Sequence, residues 1–485
     1  MTRFIGRTAE LNKLSALAQK KTASFVIVRG RRRIGKSRLV AEFSKHFDHF
    51  YHFEGIAPVA NMSAEDQLNE FSRQIAREFK TAYAPYEDWS DALWAVGERV
   101  QKGKILLSFD EISWMGRNTP TFLSKIKSFW DNHLKKNDKL MFIVCGSVSA
   151  WIEKNILSST GFVGRISYTL TLEELPLTDC DAFWPKNIAA FEKLKILAVT
   201  GGIPKYLEEI DTKIPAEDNI RSLCFNRGGM LVEEFKQIFS DLFLRNSSLY
   251  QKIIETLVGG AKTRSEISHL LNIESGSRLS EYLKELELAG FITRDYSWNI
   301  RSGRDSKLCQ YRLHDNYFRF YLKYIFPNIS KIDRNNFQFK SLTALPEWQA
   351  IIGLQFENLV LKNRALIYEA LHLSPHDIIS ENPFYQRKTT DHPGCQIDYL
   401  IQTKFNTLYV CEIKFIKNLV DSTVIHDVQH KINAIKTPKG YSFRPVLIHV
   451  NGVTEDVAES DFFAAIINFS HFLHPAGTKT QPEQN

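Results

Sequence analysis

The stretch GRRRIGKS at residues 30–37 decides the fold of this chain. An apolar run, SFVIVRG at 24–30, precedes it, and a helical pattern over 37–46 follows it. A strand, a glycine-containing loop and a helix in this order open a parallel α/β sheet. The stretch also matches the pattern GxxxxGK[ST], in which backbone N–H groups and the positive end of a helix surround phosphate groups. The sequence therefore predicts a phosphate-binding loop directly after the first strand.

Each residue type in this loop has an expected role toward ATP and Mg²⁺, the two cofactors that the motif predicts. Lys36 is expected to bridge the β- and γ-phosphates, and the Ser37 hydroxyl is expected to ligate Mg²⁺. The glycines let the backbone turn so that consecutive N–H groups face the phosphates. The predicted nucleotide-binding residues are Gly30, Arg31, Arg32, Arg33, Ile34, Gly35, Lys36, Ser37 and Arg38.

Two acidic residues and a serine follow the next apolar runs. Asp110 and Glu111 come after the run at 105–109, and Ser147 comes after the run at 140–144. Asp110 is expected to hold Mg²⁺, and Glu111 is expected to polarise the attacking water, which would make the chain an ATPase rather than only a nucleotide-binding protein. Ser147 has two interpretations, because it is placed to read the γ-phosphate but also suits an ordinary helix N-cap.

The length and composition indicate a soluble protein of several domains. A chain of 485 residues exceeds the roughly 250–300 residues that one core usually supports, and about three domains are expected. Hydrophobic residues make up 44% and charged residues 24%, which excludes fibrous and largely disordered classes. The net charge of +7 is compatible with nucleic acid without indicating it.

Cysteine usage and hydropathy point to the cytoplasm. The 6 cysteines are scattered without a CxxC pair, so neither a zinc site nor a disulfide framework is predicted. No apolar segment follows Met1, and no apolar run approaches the ~18 residues of a membrane span. The sequence therefore predicts a cytoplasmic protein with no membrane partner.

Changes of period divide the chain into four folded blocks and a tail. Strands alternating with helices up to residue 168 predict an α/β fold with a doubly wound parallel sheet. The period then becomes helical to 245, and three short helices with two strands around a basic loop form the arrangement of a winged helix. The predicted domains are a P-loop NTPase core at 1–168, a helical lid at 169–245, a winged helix at 246–330, an α/β domain at 340–470 and a disordered tail at 471–485.

Several short motifs, taken together, resemble one family of ATPases. Over residues 1–330 the chain is similar to the archaeal-type branch of the STAND/AAA ATPases. The motifs that carry this resemblance are FIGR at 4–7 with Glu10 after it, GRRRIGKS at 30–37, FDE at 109–111, CGS at 145–147, Gly164-Arg165 and GGIPKYL at 201–207.

The resemblance implies further nucleotide contacts. It implies that ATP binds between the α/β core and the lid, with Gly202 and Pro204 in the lid motif that touches the nucleotide. Arg165 would then be an arginine that senses the γ-phosphate or acts as a finger, although a plain surface arginine fits its position as well. The residues implied to lie beside the adenine are Ile5, Gly6 and Arg7.

A two-stranded pattern in the last block places charged side chains opposite each other. If 403–407 is the turn between two strands, Asp398 faces Glu412, and Lys414 lies two residues further on the same face. Buried charge is costly unless it is paired or binds a metal. Two carboxylates and a lysine at the end of an apolar face suit a divalent metal, with Lys414 orienting water or stabilising a phosphorane.

This constellation resembles the PD-(D/E)xK nuclease core, a restriction-endonuclease-like domain known at the C-terminus of the same ATPase branch. Glu357, on an amphipathic helix, could supply a further carboxylate, and Gln429, on a later helix, is a weaker candidate for the site. The resemblance implies a second Mg²⁺ or Mn²⁺ on Glu357, Asp398 and Glu412, with Glu412 and Lys414 catalytic and DNA as the substrate. The alternatives are an ion-pair cluster on a half-solvated hairpin and a degenerate fold retained for binding.

The winged-helix block has two interpretations. Its helix at 277–289 carries three glutamates against one arginine and one lysine, which makes it a poor partner for phosphates. Either the basic hairpin alone contacts nucleic acid, or the block makes an intramolecular contact with the lid. The basic hairpin residues are Arg294, Arg301, Arg304, Lys307 and Arg312.

The sequence as a whole predicts an ATP-hydrolysing ATPase that regulates a metal-dependent DNA nuclease domain in the same chain. Assembly into a homo-oligomer or with a partner protein is a further expectation. Two alternatives are an ATP-driven signalling switch or scaffold with an inactive nuclease-like domain, and a winged-helix DNA-binding regulator.

Overall fold

A computed structural model describes residues 3–57, 59, 62–147, 149–242, 247–390 and 393–473 of the chain. The chain divides into two compact units. The first comprises Met1–Glu174 with Leu288–Gly290, and the second comprises Leu175–Glu287 with Phe291–Asn485.

The first unit is built on a parallel five-stranded sheet in the order β2-β3-β4-β1-β5. Its strands are β1 (Ser24–Arg29), β2 (His49–Glu54), β3 (Ile105–Asp110), β4 (Met141–Gly146) and β5 (Tyr168–Thr171). Its helices are α1 (Thr8–Ala18), α2 (Lys36–Ser44), α3 (Ala64–Phe79), α4 (Trp89–Arg99), α5 (Ile112–Met115), α6 (Phe122–Asn132) and α7 (Ser149–Ile152).

Burial explains which strands the sequence revealed. Strands β3 and β4 are buried along their whole length, so they read as continuous apolar runs. Strand β2, HFYHFE, is half exposed at the sheet edge and was not predicted, and neither was the short β5. Strand β5 pairs with β1, and the first compact unit continues to Glu174, six residues beyond the predicted boundary at 168.

The second unit contains a helical segment, a hairpin and a mixed sheet. Its helices are α8 (Leu177–Cys180), α9 (Ala190–Thr200), α10 (Pro204–Leu207), α11 (Ala216–Phe225), α12 (Met230–Leu242), α13 (Ser247–Thr256), α14 (Arg264–Leu271), α15 (Ser277–Leu288), α16 (Asn316–Phe320), α17 (Ile329–Asp333), α18 (Trp348–Lys362), α19 (Arg364–Ala370), α20 (Thr423–Ala434) and α21 (Glu455–Ala458). Its strands are β6 (Ile292–Asn299), β7 (Arg304–Leu313), β8 (Ile378–Gln386), β9 (Cys395–Thr403), β10 (Thr407–Ile413), β11 (Ser442–His449) and β12 (Ala465–Asn468).

The second sheet has the order β12-β11-β10-β9-β8, and its two faces are covered by different parts of the chain. On one face Leu194 and Leu197 of α9 share a core with Phe356 of α18 and Ile413 of β10. On the other face α20 and the tip of the β6–β7 hairpin pack against β9 and β10. The predicted lid, winged-helix and C-terminal blocks therefore form one compact unit rather than three separate bodies.

The elements predicted between 246 and 330 are present as three helices, α13 to α15, followed by the antiparallel β6–β7 hairpin. Strands β8 and β12 were not predicted. Of the predicted disordered tail, 471–473 instead belong to the short helix Phe469–Leu473, and 474–485 lie outside the described residues. None of the described helices combines the length and apolar content that a bilayer crossing requires.

Candidate nucleotide site and C-terminal carboxylate cluster

Three strand ends bring the first site together. Strand β4 lies between β1 and β3 in the sheet, and all three strands run parallel. The loop at 30–35 follows β1, Asp110 ends β3, and Ser147 follows β4. Because the carboxyl ends of parallel strands share one edge, the three groups predicted from separate motifs lie together there.

Two glycines of the loop at 30–35 adopt backbone conformations that favour glycine. Gly35 has a φ of 94° and precedes the first turn of α2. Gly30 has a φ of +151°, and a Cβ at that position would lie 2.5 Å from Leu172 O. Only glycine fits at Gly30 without displacing the backbone of Leu172. The α2 N-terminus is thus presented with its backbone donors at the sheet edge, as phosphate binding requires.

Lys36 is held inside this loop. Its side chain is buried, and its Nζ donates to the carbonyl oxygens of Gly30, at 3.1 Å, and Arg31, at 3.3 Å. The ammonium is therefore fixed at the centre of the loop before any ligand arrives. A fixed buried cation next to a helix N-terminus fits the phosphates of ATP.

The predicted Mg²⁺ ligands lie in contact with each other. Ser37 Oγ donates to Asp110 Oδ2 at 2.5 Å, and Asp110 Oδ1 accepts from the backbone N–H of Glu111 at 2.9 Å. A hydroxyl and a carboxylate are the oxygen ligands that Mg²⁺ takes, and one or two such protein ligands are typical for it. The donor set of Ser37 and Asp110 therefore fits Mg²⁺.

Glu111 is oriented by Ser147. Its Oε2 accepts from Ser147 Oγ at 2.9 Å and from Ser147 N at 3.2 Å. Burial raises the pKa of the Glu111 carboxyl above its ordinary value, and the nearby charge of Lys36 only partly offsets this. Glu111 also has a φ of 47°, a conformation that L-residues adopt rarely and that turns the chain sharply after β3. The structure thus ties Ser147 to Glu111.

Comparison with known proteins agrees with this geometry. Residues 4–210 match the family described as an ATPase domain predominantly from Archaea. The chain carries an archaeal-type ATPase domain. Over 360 residues the chain is 29% identical to an uncharacterized protein of Methanocaldococcus jannaschii, a match that covers 73% of this chain and 75% of that protein.

Two solved structures match part of the chain. A Walker-type ATPase of Pyrococcus abyssi is 17% identical, with a TM-score of 0.47, over 66% of this chain and 96% of that chain. The ORC2 protein of Aeropyrum pernix, solved as ADPNP and ADP complexes, is 13% identical, with a TM-score of 0.42, over 69% of this chain and 97% of that chain.

The N-terminal segment of the ATPase domain is anchored on its phosphate loop. Arg7 Nη2 donates to Ile34 O at 3.1 Å and to Glu173 O at 2.6 Å, while Nη1 binds Glu10 at 2.9 Å. The predicted trio Ile5, Gly6 and Arg7 is thereby held beside the loop through Arg7. Its contact with adenine stays a prediction.

The remaining arginines of the ATPase domain occupy varied surroundings. Arg31 is buried, whereas Arg32 and Arg33 are half-buried. Arg38 Nη2 donates to Arg3 O at 2.8 Å. These positions agree with a loop whose arginines are largely engaged by the protein itself.

Arg165 forms an ion pair with Asp131. Its Nη2 lies 2.8 Å from Asp131 Oδ2, and its Nε also donates to the same carboxylate. This contact lowers the pKa of Asp131 to about 2. Lys127 and Lys135 bind Asp131 as well, so Arg165 belongs to an ion-pair cluster. Its role toward a γ-phosphate stays a prediction.

The predicted lid motif lies in the second unit. Gly202 O accepts from Leu175 N at 2.8 Å, and a Cβ at Gly202 would lie 2.3 Å from Leu175 O. Pro204 occupies the first turn of α10, where its missing N–H costs nothing. Both residues therefore have local structural reasons for their identity, and their contact with nucleotide stays a prediction.

The C-terminal hairpin has the predicted register. Leu408 pairs with Gln402, and Cys411 pairs with Tyr399. Lys414 Nζ lies 2.8 Å from Glu412 Oε1, and Asp398 Oδ2 accepts from the backbone N–H of Ile413 at 2.9 Å. The structure therefore brings Asp398, Glu412 and Lys414 together at the end of the hairpin, and their role as a site stays a prediction.

Lys431, which sequence reasoning missed, binds both carboxylates. Its Nζ lies 2.5 Å from Glu412 Oε2 and 3.4 Å from Asp398 Oδ1. Burial alone would raise the pKa of Glu412, but the charges of Lys431 and Lys414 hold it below its ordinary value. We call these four residues, Asp398, Glu412, Lys414 and Lys431, the carboxylate cluster.

A signal for Lys431 was present in the sequence. Val424 and Val428 are buried on α20, and Lys431 follows them at the helical spacing of the same face. A lysine that continues an apolar stripe faces the sheet and needs a carboxylate there. The weaker candidate Gln429 instead donates to Asn433 on its own helix and is exposed.

The predicted metal site is not assembled in this arrangement. Among the residues that the structure describes, no group of three or more His, Cys, Asp or Glu side chains is arranged to hold a metal ion. Burial and the charge of Asp398 raise the pKa of Glu357 to about 8, so its carboxyl is largely protonated at neutral pH. A metal ligand must be deprotonated. A divalent ion on Glu357, Asp398 and Glu412 would therefore have to displace this proton, and the three-carboxylate site stays a prediction.

The predicted basic hairpin is also corrected. Arg312 is buried, its Nε donates to Asp295 Oδ2 at 2.9 Å, and its Nη1 donates to Asn358 Oδ1. At the other end of the hairpin, Trp298 Nε1 donates to Gln402 Oε1 at 2.5 Å. The hairpin therefore packs on the C-terminal sheet. The predicted contact of this block with the lid segment is also present, since Tyr317 Oη donates to Leu231 O at 2.7 Å.

Proposed function

We propose that the chain binds and hydrolyses ATP with Mg²⁺, as a STAND/AAA-type ATPase. The observation that carries this proposal is the pairing of two contacts at one sheet edge, Ser37 with Asp110 and Glu111 with Ser147. The contact of Ser37 with Asp110 brings two oxygen ligands together for a cation. The contact of Ser147 with Glu111 orients a carboxylate beside that cation site.

The residues of the site divide the work of hydrolysis. Lys36 and the N–H groups at the start of α2 hold the phosphates, and Ser37 with Asp110 holds the metal ion. When bound, Mg²⁺ supplies charge neutralisation on the phosphate oxygens. Glu111 accepts a hydrogen bond from the attacking water and takes its proton, and its raised pKa makes it a better base than an exposed glutamate. Ser147 keeps the carboxylate pointed at that position.

Replacing Lys36 by alanine is expected to abolish ATP binding. The change removes the buried ammonium and leaves the carbonyl oxygens of Gly30 and Arg31 without their donor. Titration with a fluorescent ATP analogue should show at least about a tenfold weaker affinity, since charge-assisted contacts contribute about 1.5–3 kcal/mol. The matched control is Lys45→Ala, because Lys45 is exposed at the other end of α2. Unchanged affinity in Lys36→Ala would contradict the assignment.

We further propose that the C-terminal block is a nuclease-like domain whose activity depends on the ATPase, with DNA as the substrate. The carboxylate cluster supports this proposal, since Glu412 and Lys414 lie 2.8 Å apart on adjacent positions of one strand face. The preceding block, with three helices and a hairpin at 247–313, supports a winged-helix interpretation. In the present arrangement Lys431 would have to leave Asp398 and Glu412 before a divalent ion could bind there.

Plasmid nicking tests the nuclease proposal. The purified chain is expected to nick DNA only with Mg²⁺ or Mn²⁺, and Glu412→Ala and Lys414→Ala should each lower the rate by at least about 100-fold, the scale of a lost acid–base or electrostatic contribution. Gln429→Ala, which changes an exposed residue of α20, is the control and should nick normally. Nicking retained in both Glu412→Ala and Lys414→Ala would refute their assignment.

A specific observation favours the main alternative, an ATP-driven switch or scaffold with an inactive nuclease-like domain. Lys431 neutralises both carboxylates as a metal would, so the cluster is electrostatically satisfied without any ion. If the chain turns over ATP but shows no nicking with Mg²⁺ or Mn²⁺, this alternative replaces the nuclease.

A further inference from the structure

A basic cleft lies between the β6–β7 hairpin and the C-terminal sheet, within the second unit. Its volume is about 590 Å³, within the range of roughly 300–1,000 Å³ typical of ligand sites. Trp298 and Ile300 of the hairpin form one wall, and Tyr385 and Gln386 of β8 form the other. The segment after α20, which includes Lys436, closes one end.

The cleft carries positive charge that the protein does not neutralise. Arg301, Arg387 and Lys436 line it, and among the described lining residues none is acidic. All three are exposed, and in the described part of the chain none of them forms an ion pair. Glu266, whose carboxylate lies within electrostatic range of Arg387, is instead engaged by Thr263 at 2.6 Å and 2.7 Å.

Gln386, in one wall of the cleft, caps the C-terminus of α20. The C-terminal carbonyls of a helix repel anions. Here the last carbonyl of α20, Ala434 O, accepts from Gln386 Nε2 at 2.8 Å, and Gln386 Oε1 accepts from Lys436 N at 2.9 Å. Gln386 therefore satisfies the last carbonyl of α20 with a hydrogen bond.

Helix α20 links this cleft to the carboxylate cluster. Lys431, one turn before the end of the helix, binds Asp398 and Glu412. Its carbonyl oxygen accepts from Cys395 Sγ at 3.5 Å, and Cys395 pairs with Gln386 in the wall of the cleft. The C-terminal turn of α20 thus contacts both a residue of the cluster and the strand that lines the cleft.

We propose that this cleft binds the phosphodiester backbone of a nucleic-acid strand and leads it toward the carboxylate cluster. The proposal rests on the nucleic-acid part of the proposed function and specifies where the strand lies. A strand fits better than a free anion because exposed cations hold a single small anion by only about 0–1 kcal/mol each. A polyanion gains additional free energy from the counterions that it releases.

Salt-dependent DNA binding tests the cleft. The full chain in EDTA, which prevents metal-dependent cleavage, is titrated with a fluorescein-labelled single-stranded DNA oligonucleotide at several salt concentrations. The triple variant Arg301→Gln, Arg387→Gln, Lys436→Gln should lower the slope of log K against log salt by about 2, since each lost contact on a single strand removes about 0.7.

A second triple variant is the matched control. Lys331→Gln, Arg334→Gln, Lys340→Gln removes the same charge from exposed residues that do not line the cleft. Its slope should match that of the unmodified chain. Both variants should bind ATP normally, because exposed substitutions leave folding nearly unchanged.

Three outcomes would overturn the cleft assignment. The first is an unchanged slope of log K against log salt in the cleft variant, and the second is an equal loss of that slope in the control variant. The third is that the cleft variant loses binding of free AMP while its slope for the oligonucleotide stays the same. The nicking assay answers a different question. A changed slope without nicking supports the cleft and refutes the nuclease, whereas nicking with an unchanged slope refutes only the cleft.

Discussion

Glu111→Gln is expected to bind ATP with near-normal affinity and to hydrolyse it about 10²–10⁴-fold more slowly, the range for loss of a positioned general base. Glutamine has the shape of glutamate, so it keeps the φ of 47° and offers an amide oxygen to the two donors of Ser147. It lacks only the capacity to take a proton from water. The effect should therefore fall on turnover and not on binding.

Phosphate release and analogue titration measure these two quantities separately. Glu98→Gln is the control, since Glu98 is an exposed glutamate of α4 in the same unit and should retain full turnover. Ser147→Ala should give an intermediate loss, because it frees the carboxylate without removing it. Normal turnover in Glu111→Gln would refute the role of Glu111 as the base.

Arg312→Gln should produce the largest loss of stability. Arg312 and Asp295 are each less than 10% exposed, at 7% and 6%, and their side chains pair at 2.9 Å. Removing one partner leaves the other as a buried uncompensated charge, which costs about 3–5 kcal/mol. The same change also breaks the hydrogen bond to Asn358 on α18. The free energy of unfolding of the full chain in urea measures the loss.

Two further variants show that the buried charge is the cause. Lys205→Gln breaks an exposed pair with Glu209 and should cost no more than about 1 kcal/mol. The double variant Arg312→Leu, Asp295→Leu should recover much of the stability lost in Arg312→Gln, because an apolar pair often replaces a buried ion pair without loss. A loss below about 1 kcal/mol in Arg312→Gln would contradict this account.

The parts of the molecule that sequence reasoning predicted correctly are those determined by local rules. Loop chemistry and the flanking strand and helix located Lys36 and Ser37. A short turn set the hairpin register, so the grouping of Asp398, Glu412 and Lys414 followed from the period of a strand alone.

The parts that sequence reasoning missed depend on tertiary neighbours. Strands β2 and β12 lie at sheet edges, where half-exposed or very short segments carry weak patterns. Arg312 was predicted as one of the basic residues of the hairpin, but in the structure its guanidinium donates hydrogen bonds to Asp295 and Asn358. Helical spacing places Lys431 on the buried face of α20, but which carboxylates it meets depends on how α20 packs on the sheet.

The shared core of α9 and the C-terminal sheet has a consequence for biosynthesis. Leu194 and Leu197 are covered by residues of α18, β10 and β11 that the ribosome adds much later. At a synthesis rate of roughly 5–20 residues per second, these partners of α9 are made on the order of ten seconds or more after α9 itself. The nascent chain therefore leaves part of the apolar face of α9 without these partners throughout that interval.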